Sequence, residues 1–316
     1  MSRNAPRKGS LQFYPRKRAS KFLPRVNYKF LSSDKPILGF IAYKVAMASM
    51  LIKDSTPDSL TKNKQITIPV TILETPPMKI FSARFYKYNL LTNEVILENP
   101  DKELKRVIKL PKQIKNKLDN IKPETYDNIR ILAYSVVKKT SIKKKPDITE
   151  FALSGDVNTK LEFIKNNIGK EISATDILKD LNLVDVKGLT KGKGFSGPVK
   201  RFGISLKSHK SEKGVRNVGA IGSFNPSRVT FRTPMAGHLG MFTRTTYNKK
   251  VLESGKIQEK DINPSEGFRH FGKIKTDYII LQGSVPGSSK RQLLITVPLR
   301  PTKYQLKKKY EAGMLV

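Results

Sequence analysis

Ile66, Ile68, Val70 and Ile72 alternate with Thr67, Pro69 and Thr71. A period of two puts the four apolar side chains on one face, which predicts a half-buried strand. Pro69 falls on the other face and has no N–H to donate, so the strand is expected at a sheet edge. Lys79–Tyr88, Ile129–Val137, Tyr278–Gln282 and Leu293–Val297 are rich in β-branched and aromatic residues and also read as strands. The run Pro36–Ile52, PILGFIAYKVAMASMLI, is apolar except for Lys44 and Ser49. It is shorter than the roughly 20 residues that span hydrocarbon and has a charge at its middle, so it predicts a buried strand, not a membrane span.

Helical spacing is confined to the region between these strands. Pro111 opens a candidate helix with Ile114, Leu118 and Ile121 on one face, and Pro123 closes it. Thr159-x-x-Glu162 and Ser173-x-x-Asp176 have the form of capping boxes, predicting helices over 160–168 and 174–181. The fold class is therefore β-rich (α+β). A basic N-terminal arm covers 1–35 and a β-rich body 36–94 and 251–298. An α/β insertion, some of whose strands the body shares, covers 95–186. A glycine-rich central loop covers 187–250 and a basic tail 299–316. No internal repeat is visible.

Charge sharpens this division. The chain has 316 residues, 61 of them Lys or Arg against 26 Asp or Glu, a net +35. Such self-repulsion destabilises a compact protein unless a polyanion neutralises it. Nucleic acid is the default, because every neutralised phosphate releases counterions. Residues 1–35 carry +9 and residues 187–250 carry +13, with Glu212 the one acid in the second segment. That segment also has 10 glycines and few apolar runs. It reads as a loop that needs an outside partner to order it. Cysteine is absent, which removes disulfides, thiolate metal sites and cysteine nucleophiles. Residues 1–30 are basic throughout, without the apolar core of a signal peptide, and a cytoplasmic location is expected.

Gly192-x-Gly194-x-x-Gly197 matches the dinucleotide fingerprint literally. That site needs a helix N-terminus facing the pyrophosphate, and here Pro198 and a strand-like Val199–Leu206 follow. A kinase reading lacks its catalytic and metal-binding Asp motifs, and Gly214-x-x-x-x-Gly219 lacks the Lys of a P-loop. His209, His238 and His270 have no spaced carboxylate or second His for a metal or a catalytic dyad. Phe195, Phe202, Phe224, Phe231, Phe242 and Tyr247, with Phe13 and Tyr14 in the arm, interleave with the cations. They could stack on unpaired bases or pin the loop's own turns. These features predict a phosphate-binding surface, not an enzyme.

The stretch Lys187–Gly240, KGLTKGKGFSGPVKRFGISLKSHKSEKGVRNVGAIGSFNPSRVTFRTPMAGHLG, resembles the long central loop of the universal large-subunit ribosomal protein L-three family. Pro6–Ala19, PRKGSLQFYPRKRA, is similar to the start of its archaeal and eukaryotic branch, as is GSVPG at Gly283–Gly287. Gly169–Asp185 looks most like archaeal members. The resemblance implies a six-stranded translation-factor-like β-barrel with an insertion, and a structural constituent of the large ribosomal subunit. It also implies early assembly, and a loop and arm that run toward the peptidyl transferase centre. Implied partners are large-subunit rRNA and neighbouring ribosomal proteins, with no membrane and no small-molecule substrate. No cofactor is expected beyond structural Mg²⁺ shared with rRNA. The runner-up is a free RNA-binding assembly or translation factor on a similar barrel.

The residues expected at RNA are Arg7, Lys8, Arg16, Lys17 and Arg18 in the arm. In the loop they are Lys191, Lys193, Phe195, Lys200, Arg201, Lys207, His209, Lys210, Arg216, Phe224, Arg228, Arg232, His238 and Arg244. Arginines suit bidentate phosphate or base-edge contacts, and lysines act as point charges. Phe224 stands where this branch usually carries Trp, so the ring keeps a stacking face but lacks the indole donor. His238 stands where Gln is common. His209 matches a position methylated in some eukaryotes, a modification not carried over to this chain.

Overall fold

A computed structural model of the chain describes residues 8–97, 100–111, 118, 121–140, 142–178 and 181–315. It is β-rich with few helices, an α+β arrangement. The strands are β1 (Gly39–Asp54), β2 (Gln65–Thr75), β3 (Met78–Lys87), β4 (Leu90–Ile96), β5 (Asn128–Ser135), β6 (Ile148–Ala152), β7 (Leu183–Leu189), β8 (Phe195–Ser196), β9 (Gly237–His238), β10 (Thr243–Lys256), β11 (Asp277–Gln282), β12 (Gln292–Thr296) and β13 (Tyr310–Leu315). The helices are α1 (Val157–Asn166), α2 (Ala174–Leu178), α3 (Pro198–Phe202) and α4 (Lys303–Lys307). The chain divides into two compact units. The smaller joins Met1–Phe22 to Leu189–Arg244, and the larger joins Leu23–Gly188 to Thr245–Val316.

In the larger unit the main sheet runs β12-β7-β10-β11-β2-β1-β13, and β12 also pairs with β1. The length of β1 makes this sharing feasible. Its start, Gly39–Tyr43, pairs with β12, and its end, Met50–Asp54, pairs with β13. A register shift against β2 between Lys44 and Ala46 lies between those two pairings. Residues 39–45 are buried without alternation, which is why the sequence there is a continuous apolar run. A second sheet, β4-β3-β5-β6, contributes Ile80, Phe85, Ile129, Ile131 and Phe151 to a core that also holds Phe40, Ile41, Leu293 and Ile295 of the main sheet.

Three local expectations need correction. Pro69 is not on an edge strand, because β2 lies between β1 and β11. The ladder to β11 ends at Val70–Gln282, and the Pro69 carbonyl still accepts from Gly283 N–H at 2.8 Å. The missing donor therefore coincides with the ladder's end. Thr159 is not the cap of α1, which starts at Val157 after the extended Asp156; its hydroxyl donates to the Asp156 carbonyl at 2.8 Å. Ser173 does precede α2, but its hydroxyl bonds to Thr175 and Asp277. The third correction is Val199–Leu206, read as strand, which begins with the one-turn helix α3. Pro198 at its first turn presets φ, and Gly203 at φ 68° accepts the left-handed cap. Most of the helix expected after Pro111 lies outside the described residues.

Candidate nucleic-acid interface

The smaller unit is built on a short two-stranded ribbon. β8 pairs with β9 through Phe195–His238 and Ser196–Gly237. Lys193 N–H donates to the Leu239 carbonyl and Leu239 N–H to the Gly194 carbonyl, both at 2.9 Å. Thr190 N–H donates to the Phe242 carbonyl at 3.0 Å, and Phe242 N–H returns to Thr190 Oγ1 at 3.1 Å. Pro198, Phe202, Ile204 and Phe242 are buried and give the unit a small core. The loop thus has internal packing that its glycine content did not suggest.

The expected RNA-contacting residues separate by environment. Arg7 lies outside the described residues. Lys17, Arg18, Lys191, Lys193, Lys200, His209, Lys210, Arg216, Arg228, Arg232 and His238 are exposed, and Lys8 and Lys207 are half-buried. Among the described residues none of them forms an ion pair with a carboxylate. The rings separate too. Phe202 and Phe242 are buried, whereas Phe195 is 75% and Phe224 is 93% exposed. The two roles left open for the aromatics are divided between different residues. Phe202 and Phe242 pin the unit, and Phe195 and Phe224 present open faces.

Arg16, Arg201 and Arg244 behave differently from the other cations. They are half-buried against rings. The Arg16 guanidinium lies 4.1 Å from the Phe202 ring centroid, and that of Arg244 lies 4.4 Å from Phe13 and 5.3 Å from Phe242. Burial, and then the charge of Arg16, lowers the pKa of Arg201 and of Arg244. In the larger unit, Lys187, Lys249 and Lys250 are also pushed down by burial. Lys250 is buried with Nζ 3.4 Å from Asn182 Oδ1. These three lysines lie in the basic segment 187–250 but outside the residues named as expected at RNA. Their one signal was position, at the two ends of the basic segment.

No group of three or more His, Asp or Glu among the described residues is placed to hold a metal ion. Among them no helix is long and apolar enough to cross a membrane. The fingerprint glycines are followed by a helix after all, but α3 has only five residues and is preceded by the two-residue β8, not by the long strand of a dinucleotide fold. The arrangement offers a cationic surface with open aromatic faces.

The profile of the family described as Ribosomal protein L3 matches residues 1–95 and 101–312. The chain belongs to the Ribosomal protein L3 family. Among its L3 relatives, the "Large ribosomal subunit protein uL3" of Methanocaldococcus jannaschii is 40% identical over 311 residues, covering 94% of this chain and 92% of that protein. The protein of the same name from Methanosphaera stadtmanae is 40% identical over 320 residues, covering 95% and 94%. That of Methanobrevibacter smithii is 40% identical over 315 residues, covering 94% and 92%. All three are archaeal, in line with the resemblance noted at Gly169–Asp185.

Proposed function

We propose that this chain is a structural constituent of the large ribosomal subunit, acting in the cytoplasmic ribosome and binding rRNA directly. The observation that carries the reading is the set of exposed, acid-free cations on the smaller unit of an L3-family chain. Lys193, Lys200, Arg228 and Arg232 would meet closely spaced phosphates, and Phe195 and Phe224 would stack on unpaired bases. An extended basic segment can enter between RNA helices where a rounded domain cannot. The peptidyl transferase centre is the expected destination of the loop, with catalysis left to the RNA. Early assembly follows if the loop must be enclosed while RNA helices converge. Neighbouring ribosomal proteins would meet the larger unit.

The strand pairings of the larger unit support the six-stranded barrel that the family resemblance implies. The order β12-β7-β10-β11-β2-β1, with β12 paired again to β1, is what a closed six-stranded barrel of the translation-factor kind requires. The insertion would then take in β3–β6 and the helix α1 and begin earlier than the 95–186 expected, because β3 and β4 belong to the second sheet and not to the main one. Deleting Lys193–Arg244 tests the assignment of the loop. The expected result is a larger unit that still folds, by circular dichroism and cooperative unfolding, but does not enter large subunits. Normal incorporation of the deleted chain would overturn it.

A further inference from the structure

Arg201 lies among the cations expected at RNA, yet four of its five N–H donors are directed at backbone carbonyls. Its Nε donates to the His238 carbonyl at 3.0 Å, and Nη1 to the Met235 and Ala236 carbonyls at 2.9 and 3.4 Å. Its Nη2 donates to the Arg16 carbonyl at 3.2 Å. Arg16 returns a bond from Nη1 to the Arg201 carbonyl at 2.5 Å. These two residues are 185 positions apart in sequence. Around them the Tyr14 ring stacks on Phe202 and meets the edge of Phe231, with centroids 6.2 and 5.8 Å away. Ala19 N–H donates to the Met241 carbonyl at 2.9 Å. The fit is close: a Cβ on Gly237 would lie 2.9 Å from Cζ and Nη1 of Arg201.

We infer that the arm up to Phe22 and the loop from Leu189 to Arg244 form one prefolded module, in which Arg201 and Arg16 are positioning residues and not phosphate ligands. A guanidinium has five N–H donors in a rigid plane, and Arg201 directs four hydrogen bonds to backbone carbonyls. A lysine cannot reproduce that fork from one nitrogen. The three carbonyls at 235, 236 and 238 lie in β9 or just before it, and the Arg16 carbonyl ties the arm to the same guanidinium. Ordering both segments before RNA arrives removes part of the entropy cost of binding. The inference rests on the proposed rRNA binding only for its benefit, since the clasp itself involves no RNA.

The test uses the full-length chain free of RNA and follows amide hydrogen exchange by mass spectrometry. Wild-type peptides covering 13–19 and 235–242 should be protected. Arg201→Ala, Arg201→Lys and Gly237→Ala should each speed exchange in both peptides by at least about tenfold, and Lys200→Ala should not. Unchanged exchange in β1 and β11 verifies that each variant is folded. Binding of Arg201→Ala to a large-subunit rRNA fragment should weaken with an unchanged salt slope. A phosphate ligand would instead lower that slope by about 0.7–0.9. Exchange at unfolded rates in the wild type, rescue by Arg201→Lys, or a reduced slope in Arg201→Ala would overturn the inference. Protected peptides in a chain that fails to bind rRNA would sink the proposed function and leave the clasp standing.

Discussion

Replacing Lys193, Arg228 and Arg232 together by Ala removes three exposed cations that pair with no carboxylate among the described residues. If each meets one phosphate, each loss lowers the slope of log K against log salt by about 0.7 on single strands to 0.9 on duplex. Three losses amount to about 2–3 units of slope. Between 50 and 200 mM salt the wild-type affinity should then fall about 20–40-fold more than that of the triple variant. Fluorescence anisotropy with a labelled large-subunit rRNA fragment measures both lines. None of the three side chains is buried, so thermal unfolding should be unchanged, and any lost affinity is not a folding defect. Parallel salt lines for the two proteins would refute the assignment of these residues to phosphates, whatever the change in affinity.

Further predictions concern the larger unit. Tyr43 is fully buried, and its hydroxyl donates to Asp147 Oδ2 at 2.6 Å and bonds Ser135 Oγ at 2.8 Å. Tyr43→Phe keeps the ring and should cost about 1–2 kcal/mol, because Asp147 retains Lys143 as a partner. A domain of this size would melt about 2–8 °C lower in a calorimetric scan, and an unchanged melting temperature would contradict the bond's role. Glu74 and Asp54 should show opposite pH dependences. Burial raises the pKa of Glu74, so its contribution to stability is full below the unfolded carboxylate range and is lost as pH rises through the folded value. Glu74→Gln should therefore gain on the wild type between acid and neutral pH in denaturant titrations. Hydrogen bonds from Thr56, Thr61 and Ser59 lower the pKa of Asp54, so its contribution is present above the unfolded value and is lost as pH falls below it. Asp54→Asn should flatten the acid limb below about pH 4, and an unchanged limb would count against those bonds.

Much of the larger unit was legible because its chemistry is local. The alternation at Ile66–Ile72 and the aromatic run in Lys79–Tyr88 identified β2 and β3 to within a few residues. The run at Pro36–Ile52 identified β1, because burial of both faces erases alternation. Errors arose where two local signals competed. Val199 and Ile204 favour strand, yet Pro198 and Gly203 bracket a single helical turn, and the turn prevails. Pro69 signalled an edge, but the ladder to β11 stops where its missing N–H would have been needed. The site was legible as charge and not as geometry. The excess of cations in the arm and loop can be counted from the sequence. That Arg201 faces carbonyls of residues 16, 235, 236 and 238 depends on a long-range closure that no spacing encodes. Burial of Phe202 and exposure of Phe224 likewise follow from which ring finds the arm.

On the function proposed, this chain works inside the large subunit and not as a free RNA-binding factor. Sucrose-gradient fractionation of native cell extract after a high-salt wash tests it most directly, with the chain quantified against large-subunit rRNA in each fraction. One copy per large subunit, retained through the wash, is the expected result. Recovery of most of the chain at the top of the gradient, apart from the subunits, would contradict it.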